Sequence, residues 1–597
     1  MKGLIAILAI FALAAPETSA DKLPRSLDLE VVRAITVQHD GRWPPLDTLA
    51  RDVVESVTGR ADYLGRDPVL WLLAWTFEPE AWMQEPLVPI RNAQLRAELG
   101  LPADTTVFSY SQLMGHERLA ALAQELAHAE AGKKPDPLQA KVRDIEDKLD
   151  LMGRIFRGQM VRLIPDPASS AGNWRVISLA SPHGKPQAGP ADAAWSQLRK
   201  AFLVDDAAAF AAASVQLKEA LDKYPAAYRP EPRLIATELG YNKLRPFRLA
   251  WMVMVIGAVL AAVAAIGRRG WLNVVAAVGL IAAFATLTYG LSLRWTIAGR
   301  IPAANMFESL LFLSWGMGAF AVLSMLLIRD RIIPLTASFM GALALVLAEN
   351  LPLDHYIRPV APVLLDTAWM SIHVPVIMVS YSVLALAALI AHVQLIVMAA
   401  APSRRSAIAA IDSLHYWYVH VGCILLGAGI VTGSMWAASS WGRYWGWDPK
   451  EVWSLVAFLA YLAILHRRVD REKTAGWVYA VGVLLTAAIL MIVASRLAPR
   501  SALGIGGLAA AAAFVVLFAF ARGPFPMALK SVLAFWLIVM TYVGVNYVLG
   551  IGLHSYAFGT GAVAHYMFLI GGIDLALIAL CSGVYLASLA RSGGVVT

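Results

Sequence analysis

From Leu249 onward the chain is dominated by long apolar segments, and this feature limits its fold more than any other. Eleven such segments are present, at 249–266, 271–293, 304–328, 332–349, 368–398, 414–437, 451–467, 475–495, 503–521, 528–550 and 564–590. About 20 apolar residues cross the hydrocarbon core of a bilayer as a helix. A helix also satisfies its own backbone polar groups there. We therefore predict an all-α polytopic membrane domain of about eleven transmembrane helices over 248–597.

The residues before this region have a different composition. Residues 1–20, MKGLIAILAIFALAAPETSA, combine a positive start, a short apolar core and a small-residue end, as secretory signal peptides do. The segment could also remain as an uncleaved anchor. Residues 21–247 are mixed in composition, with helical periodicity over 120–156 and 193–224. We predict a mainly helical extracytoplasmic domain at 21–247.

One stretch of this domain has a clear local signal. In VQHDGRWPPLDTLARDV, at 37–53, Gly41 and the Pro44–Pro45 pair indicate a turn that is followed by a helix. Asp47 or Thr48 is expected to cap that helix, because both residue types accept hydrogen bonds from the free N–H groups of a first turn.

The distribution of basic residues predicts the orientation of the membrane domain. With residues 21–247 outside, the inner loops hold thirteen Lys or Arg and the outer loops hold seven. Cytoplasmic loops carry such an excess. The loop at 438–455 is therefore expected on the periplasmic or extracytoplasmic side of the cell's inner (cytoplasmic) membrane, and the C-terminus in the cytoplasm. The net charge of +8 is assigned to these loops, not to nucleic-acid binding, since no basic stretch is interleaved with aromatic residues.

The outer loop contains WGRYWGWDPKEVWSL, at 441–455, with an unusual density of aromatic residues. Asp448, Pro449 and Glu451 form the pattern of a helix start, with an N-cap carboxylate and a capping-box glutamate. One or two tryptophans would be explained by the aromatic belt of a membrane interface. The larger set suits a flat apolar ligand with a polar rim. It comprises Trp441, Tyr444, Trp445, Trp447 and Trp453.

This loop resembles the tryptophan-rich WWD signature of haem-handling proteins, in the form found in the CcsA (ResC) family of system II cytochrome c biogenesis. Further segments are similar to that family: IPAANMFESLLFLSW (301–315), DTAWMSIHVPVIMVSYSVLA (366–385), AYLAILHRR (460–468) and VGVNYVLGIGLHSYA (543–557). QHDGRWPPLDTLAR (38–51) and ELGYNKLRPF (238–247) are similar to segments of fused CcsB–CcsA proteins.

Two features depart from the family pattern. Segments 475–495 and 503–521 are additional to the short family members, although two extra spans preserve the sidedness of the later segments. Nothing in the chain resembles the four-span bundle of the CcsB half. The resemblance therefore implies a separate CcsB/ResB-like membrane subunit as a partner.

The resemblance also implies a function. The protein would bind haem b, present it on the outer face and promote its thioether attachment to the CxxCH of apocytochrome c, as part of a cytochrome c haem lyase complex. Thiol-reducing thioredoxin-like proteins would be further partners. A haem transporter or chaperone without ligase activity, or a non-haem membrane scaffold, remains as an alternative.

Candidate haem-binding residues follow from the predicted topology, since imidazole is the usual axial donor to haem iron. His373 and His554 lie at the outer level of the aromatic loop, whose Trp441, Tyr444, Trp445, Trp447 and Asp448 would hold the macrocycle. His466, at the inner end of its segment, resembles the family's ligand of a haem within the bilayer. Polar interface residues are the alternative for each. His392, His415 and His420 are inner rivals, and His355 and His565 are outer ones.

Overall fold

The computed structural model describes residues 19–127, 137–166, 172–177, 189–267, 270–360, 368–466, 524–549 and 562–592. The expected signal peptide, apart from its last two residues, lies outside these ranges, as do segments 475–495 and 503–521. The chain divides into two compact units, Met1–Leu244 and Arg245–Thr597.

The N-terminal unit is mainly helical. Its helices are α1 (Glu30–Arg33), α2 (Leu46–Thr58), α3 (Pro68–Phe77), α4 (Pro79–Met83), α5 (Ala93–Glu98), α6 (Tyr110–Met114), α7 (Glu117–Ala127), α8 (Pro137–Phe156), α9 (Pro190–Leu203), α10 (Ala207–Asp222) and α11 (Pro232–Leu244). Two antiparallel ribbons accompany them: β1 (Pro86–Pro89) with β2 (Val107–Ser109), and β3 (Arg162–Ile164) with β4 (Arg175–Val176). Every residue of α3 is buried, so this short apolar helix forms the centre of the core.

A buried ion pair joins the two segments of this unit that resemble fused CcsB–CcsA proteins. Arg42 donates to Glu238 at 2.7 Å, and the Thr48 hydroxyl donates to the same carboxylate oxygen at 2.9 Å. Glu238 is 3% exposed. A buried charge is tolerated only when it is paired and hydrogen-bonded. The two segments, 190 residues apart, are thus held together by complementary polar groups.

The prediction that Asp47 or Thr48 caps α2 is wrong. The helix begins at Leu46, its N-cap residue is Pro45, and no side chain caps it. Asp47 instead accepts from Arg33 at 2.9 Å and from Asn242 at 3.0 Å. The proline pair allows the helix to begin before Asp47, which frees that carboxylate for contacts with α1 and α11.

The C-terminal unit is built of long helices. They are α12 (Pro246–Gly267), α13 (Gly270–Ala298), α14 (Met306–Leu327), α15 (Ile332–Asn350), α16 (Ala368–Ala400), α17 (Arg405–Trp441), α18 (Pro449–His466), α19 (Pro524–Val539), a π-helical continuation at Met540–Leu549, and α20 (Ala562–Ser592). Eight helical stretches of the described residues are long and apolar enough to cross a membrane. They correspond to eight predicted segments, and α18 corresponds to a ninth. The prediction of an all-α polytopic membrane protein is confirmed.

Among the described elements, helices α16 and α17 make the most extensive pairwise contact. Glycines on α17 allow this close approach. A Cβ at Gly422 would lie 2.5 Å from the Leu384 side chain, and one at Gly429 would lie 2.5 Å from the Ile377 side chain. Small residues are common where membrane helices pack tightly, because they let the backbones come close together.

A buried charge cluster fixes the start of α14. Glu308 is fully buried and lies 2.9 Å from both Arg294 and Arg300. It also accepts from the backbone N–H of Ala304 at 2.7 Å, while Asn305 caps the helix by accepting from the Glu308 N–H at 2.9 Å. These contacts explain physically why the segment IPAANMFES has its Asn and Glu three residues apart.

Candidate functional site

A cavity lies in the C-terminal unit between the start of α14, the N-terminal half of α16, the C-terminal half of α17, the start of α18 and the π-helical segment. It contains about 1190 Å³ of empty space, part of which is open. Its residues are mostly apolar, with a few polar groups among them. They include Asn305, Ser309, His373, Ile377, Tyr381, Gly433, Trp436, Tyr444, Trp445, Lys450, Tyr542 and Asn546. An apolar cavity with few polar groups is typical of small-molecule sites.

His373, one of the predicted ligands, lies in this cavity and is half-buried. Its Nδ1 donates to the carbonyl oxygen of Gly429, on the neighbouring helix, at 3.0 Å. A carbonyl oxygen only accepts, so Nδ1 carries the proton and Nε2 carries the lone pair of the neutral ring. Histidine ligands of metals are commonly oriented by such a bond from the other ring nitrogen. The donor chemistry of His373 therefore fits an axial ligand of haem iron.

Two residues of α17 determine the position of the His373 ring. The Trp436 ring stacks on it at 6.1 Å between centroids, with only 11° between the planes. A Cβ at Gly433 would lie 2.8 Å from the Cε1 atom of His373. The ring thus occupies the space that any larger residue at 433 would fill.

The aromatic residues of the loop divide into two groups. Tyr444 and Trp445 line the cavity beside His373. Trp441 ends α17 and packs edge-on against Trp436 at 4.8 Å, so it supports the cavity wall from behind. Trp447 meets Trp445 edge-on at 6.0 Å, yet 72% of it is exposed. Its backbone has φ of +58°, an uncommon conformation for a bulky residue.

Asp448 and Glu451 organise the backbone of the loop. The Asp448 carboxylate accepts from the Lys450 N–H at 3.2 Å, and Glu451 accepts from the Asp448 N–H at 3.1 Å. Glu451 also accepts from the Gly446 N–H at 2.7 Å. This is the reciprocal capping predicted from the sequence. Asp448 is buried and its carboxylate bonds the helix start, so its contribution to the cavity is the shape of the loop.

The chain is similar in sequence to known proteins. The protein family described as Cytochrome C assembly protein matches residues 303–497, a range that contains most of the cavity wall. The cytochrome c biogenesis protein CcsA of Parasynechococcus marenigrum is 30% identical over 364 residues, which cover 55% of this chain and 98% of that protein. The chain belongs to the CcsA-type family of cytochrome c biogenesis proteins. It is a multi-pass membrane protein of cytochrome c assembly.

Two further similarities extend the comparison. Protein NrfI of Wolinella succinogenes is 24% identical over 554 residues, which cover 87% of this CcsA-type chain and 53% of NrfI. The chain therefore spans about half the length of that relative. Among solved structures, cytochrome c haem lyase CcmF matches with a TM-score of 0.32 and 18% identity, over 57% of this chain and 60% of CcmF.

The other two predicted ligands of this CcsA-type protein have no described side chain. His554 lies outside the described residues, and His466 is the last described residue of α18, known only by its backbone. Their roles remain predictions. The outer rivals His355 and His565 are not among the residues that line the cavity. The ring of His355 lies against Tyr356 at 4.2 Å.

The three inner rivals have different surroundings. His392 donates from Nδ1 to the Ala388 carbonyl at 2.8 Å, and its Nε2 lies 2.6 Å from Asp574, so both of its nitrogens are engaged. The Nδ1 of His420 donates to its own helix at 3.2 Å. His415 is fully buried, and neither of its ring nitrogens has a hydrogen-bond partner among the described residues. His392 is therefore the least suited of the three to bind iron.

Several cavity residues were not predicted individually. Gly433 and Trp436 precede the aromatic loop, and Ser309 and Asn546 come from other helices. A weak signal was present, since the segments at 301–315 and 543–557 carry family resemblance. The resemblance did not indicate that their side chains form walls of the same cavity as His373.

Proposed function

We propose that this protein binds haem in the cavity and promotes its thioether attachment to apocytochrome c. The observation that carries the proposal is the orientation of His373, whose Nδ1 is held by the Gly429 carbonyl within an aromatic, largely apolar cavity. Imidazole oriented by a backbone carbonyl is a common ligand arrangement for haem iron. The flat rings of Tyr444 and Trp445 suit a planar macrocycle.

In this proposal the chain's own residues bind haem and orient it. His373 would hold the haem iron through its imidazole, and His554 would supply a second imidazole from the segment that comes after the π-helical stretch. Haem would supply two vinyl groups, to which the two thiols of the substrate's CxxCH would add. Cys423 and Cys581 are buried, which supports the assignment of both reacting thiols to the substrate. Trp441, Trp447 and Asp448 support the loop that closes the site.

The partners are inferred from the family and from the predicted topology. His466 ligates a second haem within the bilayer, together with a ligand from a CcsB/ResB-like subunit. The cavity faces the periplasmic side of the inner membrane, where apocytochrome c is kept reduced by thioredoxin-like proteins. The excess of Lys and Arg in the opposite loops supports this orientation.

The test has two stages. The full-length protein, purified in detergent, is titrated with haem b and followed by its Soret absorption, and His373→Ala is compared. We expect binding by the wild type and a weakened, spectrally altered complex in the variant. Cells that express the protein, its CcsB-like partner and an apocytochrome c are then assayed for covalent haem. Absence of a Soret change contradicts the proposal. Haem binding without covalent product indicates a transporter or chaperone instead.

A further inference from the structure

Lys450 places a cation in the wall of the cavity that contains His373. Its ammonium group lies 5.1 Å from the centre of the Tyr542 ring. That ring is itself held, because the Tyr542 hydroxyl lies 2.5 Å from the hydroxyl of Ser309. A cation over an aromatic face is attracted by the ring's electrons. Lys450 is thus positioned by the cavity wall and is not directed along the outer surface of the loop.

The position of this cation is unfavourable for the helix that carries it. Lys450 is the second residue of α18, and the positive end of the helix dipole disfavours a cation in the first turn. The nearby Asp448 carboxylate offsets part of this cost. A negatively charged group of a ligand in the cavity would offset more of it.

The two acidic groups nearest in sequence bond the loop backbone, and one of them, Glu451, also lines the cavity. The Asp448 carboxylate accepts from the backbone N–H of Lys450, and the Glu451 carboxylate accepts from Gly446 and Asp448. Arg443 lies 3.7 Å from Glu451 and is absent from the residues that line the cavity. The two cations of the loop are thus divided, with Arg443 on the loop's own carboxylate and Lys450 at the cavity.

We propose that the ammonium group of Lys450 binds a carboxylate of the porphyrin and thereby selects the orientation in which haem is held. This inference rests on the proposed function. Haem b carries two propionate carboxylates on one edge of the ring and its vinyl groups elsewhere. A charge-assisted hydrogen bond in a cavity of low dielectric is stronger than one in water. Holding the carboxylate edge at Lys450 determines which edges remain for the substrate thiols.

The experiment compares haem b with its dimethyl ester, in which both carboxylates are blocked. Each is titrated into the purified full-length protein, and the ratio of the two dissociation constants is measured for the wild type, Lys450→Met and Lys450→Arg. We expect the wild type to bind the ester about tenfold more weakly, a difference of about 1.4 kcal/mol. Lys450→Met should bind both ligands with nearly equal affinity, and Lys450→Arg should keep the preference.

Each outcome has a definite meaning. A wild type that binds haem and its ester equally overturns the inference, whatever the variants do. Retention of the tenfold preference by Lys450→Met also overturns it, while haem binding itself stands. A wild type that binds neither ligand contradicts the proposed function instead. Size-exclusion chromatography of each variant in detergent separates misfolding from a change in ligand preference.

Discussion

The ring of His373 on α16 lies directly against Gly433 on α17. A Cβ at position 433 would be only 2.8 Å from the ring. A Cβ atom does not approach a non-bonded heavy atom this closely in proteins. The position of the imidazole therefore depends on the absence of a side chain on the facing helix.

The first prediction concerns this contact. Gly433→Ala should displace the His373 ring and weaken haem binding about tenfold or more, because ligand geometry is sensitive to such shifts. Soret titration of the purified variant measures the change. Gly279→Ala is the matched control, since a Cβ there meets nothing within 4 Å. Equal haem affinity of Gly433→Ala and Gly279→Ala would show that the ring position is unimportant.

The second prediction concerns the axial ligands. His373→Ala and His554→Ala should each abolish covalent haem attachment in cells, because loss of one imidazole leaves an open position on the iron. Imidazole added to the medium should partly restore assembly in either variant, since a free donor can enter the vacated position. Haem staining of cytochrome c in cells, with membrane insertion checked by immunoblot, measures both effects. Normal assembly by both variants would make the aromatic belt the better explanation of the loop.

The third prediction separates the two possible roles of Asp448. Asp448→Ala removes the cap of α18, a loss of about 1 kcal/mol for a typical N-cap. Asp448→Ala should impair haem binding, and added imidazole should not restore it. The same result is expected for Trp447→Ala. Asp448→Asn keeps an oxygen acceptor for the Lys450 N–H and should retain most activity. An inactive Asp448→Asn protein would mean that the negative charge acts in the site directly.

The fourth prediction concerns the N-terminal unit. Glu238→Ala leaves the Arg42 guanidinium without its buried partner, and breaking a buried pair in this way costs about 3–5 kcal/mol. The melting of this unit, followed by limited proteolysis of the full-length protein, should shift to clearly lower temperature. Lys218→Ala removes an exposed pair with Asp222 and should cost less than about 1 kcal/mol. Similar shifts in the two variants would contradict the structural role of the Arg42–Glu238 pair.

The fifth prediction concerns orientation in the membrane. Alkaline phosphatase fused at residue 200 should be active, because the N-terminal unit is expected outside. Fusions at 408 and 470 should be inactive, since the basic loops around them are expected to be cytoplasmic. Phosphatase activity at either inner position would reverse the assignment of the aromatic loop to the outer face.

Some features could be predicted from the local sequence because interactions between residues close in the chain determine them. The apolar segments of sufficient length predicted the spanning helices, and all those within the described residues are helical. The start of α18 was likewise predicted, since Asp448 and Glu451 bond to backbone groups within a few residues of themselves. The caps expected for α2 failed because Asp47 and Thr48 have partners far along the chain, which local patterns do not reveal.

The sequence by itself determined the membrane-spanning architecture, the family resemblance and the residue types available to a haem site. Only the tertiary structure decided which of them meet. The tautomer of His373 depends on a carbonyl on another helix, and its place depends on a glycine there. Tyr444 and Trp445 line the cavity while Trp447 remains exposed, although all three belong to one aromatic run. The physical reason is that helix packing, not sequence spacing, sets which side chains share a cavity.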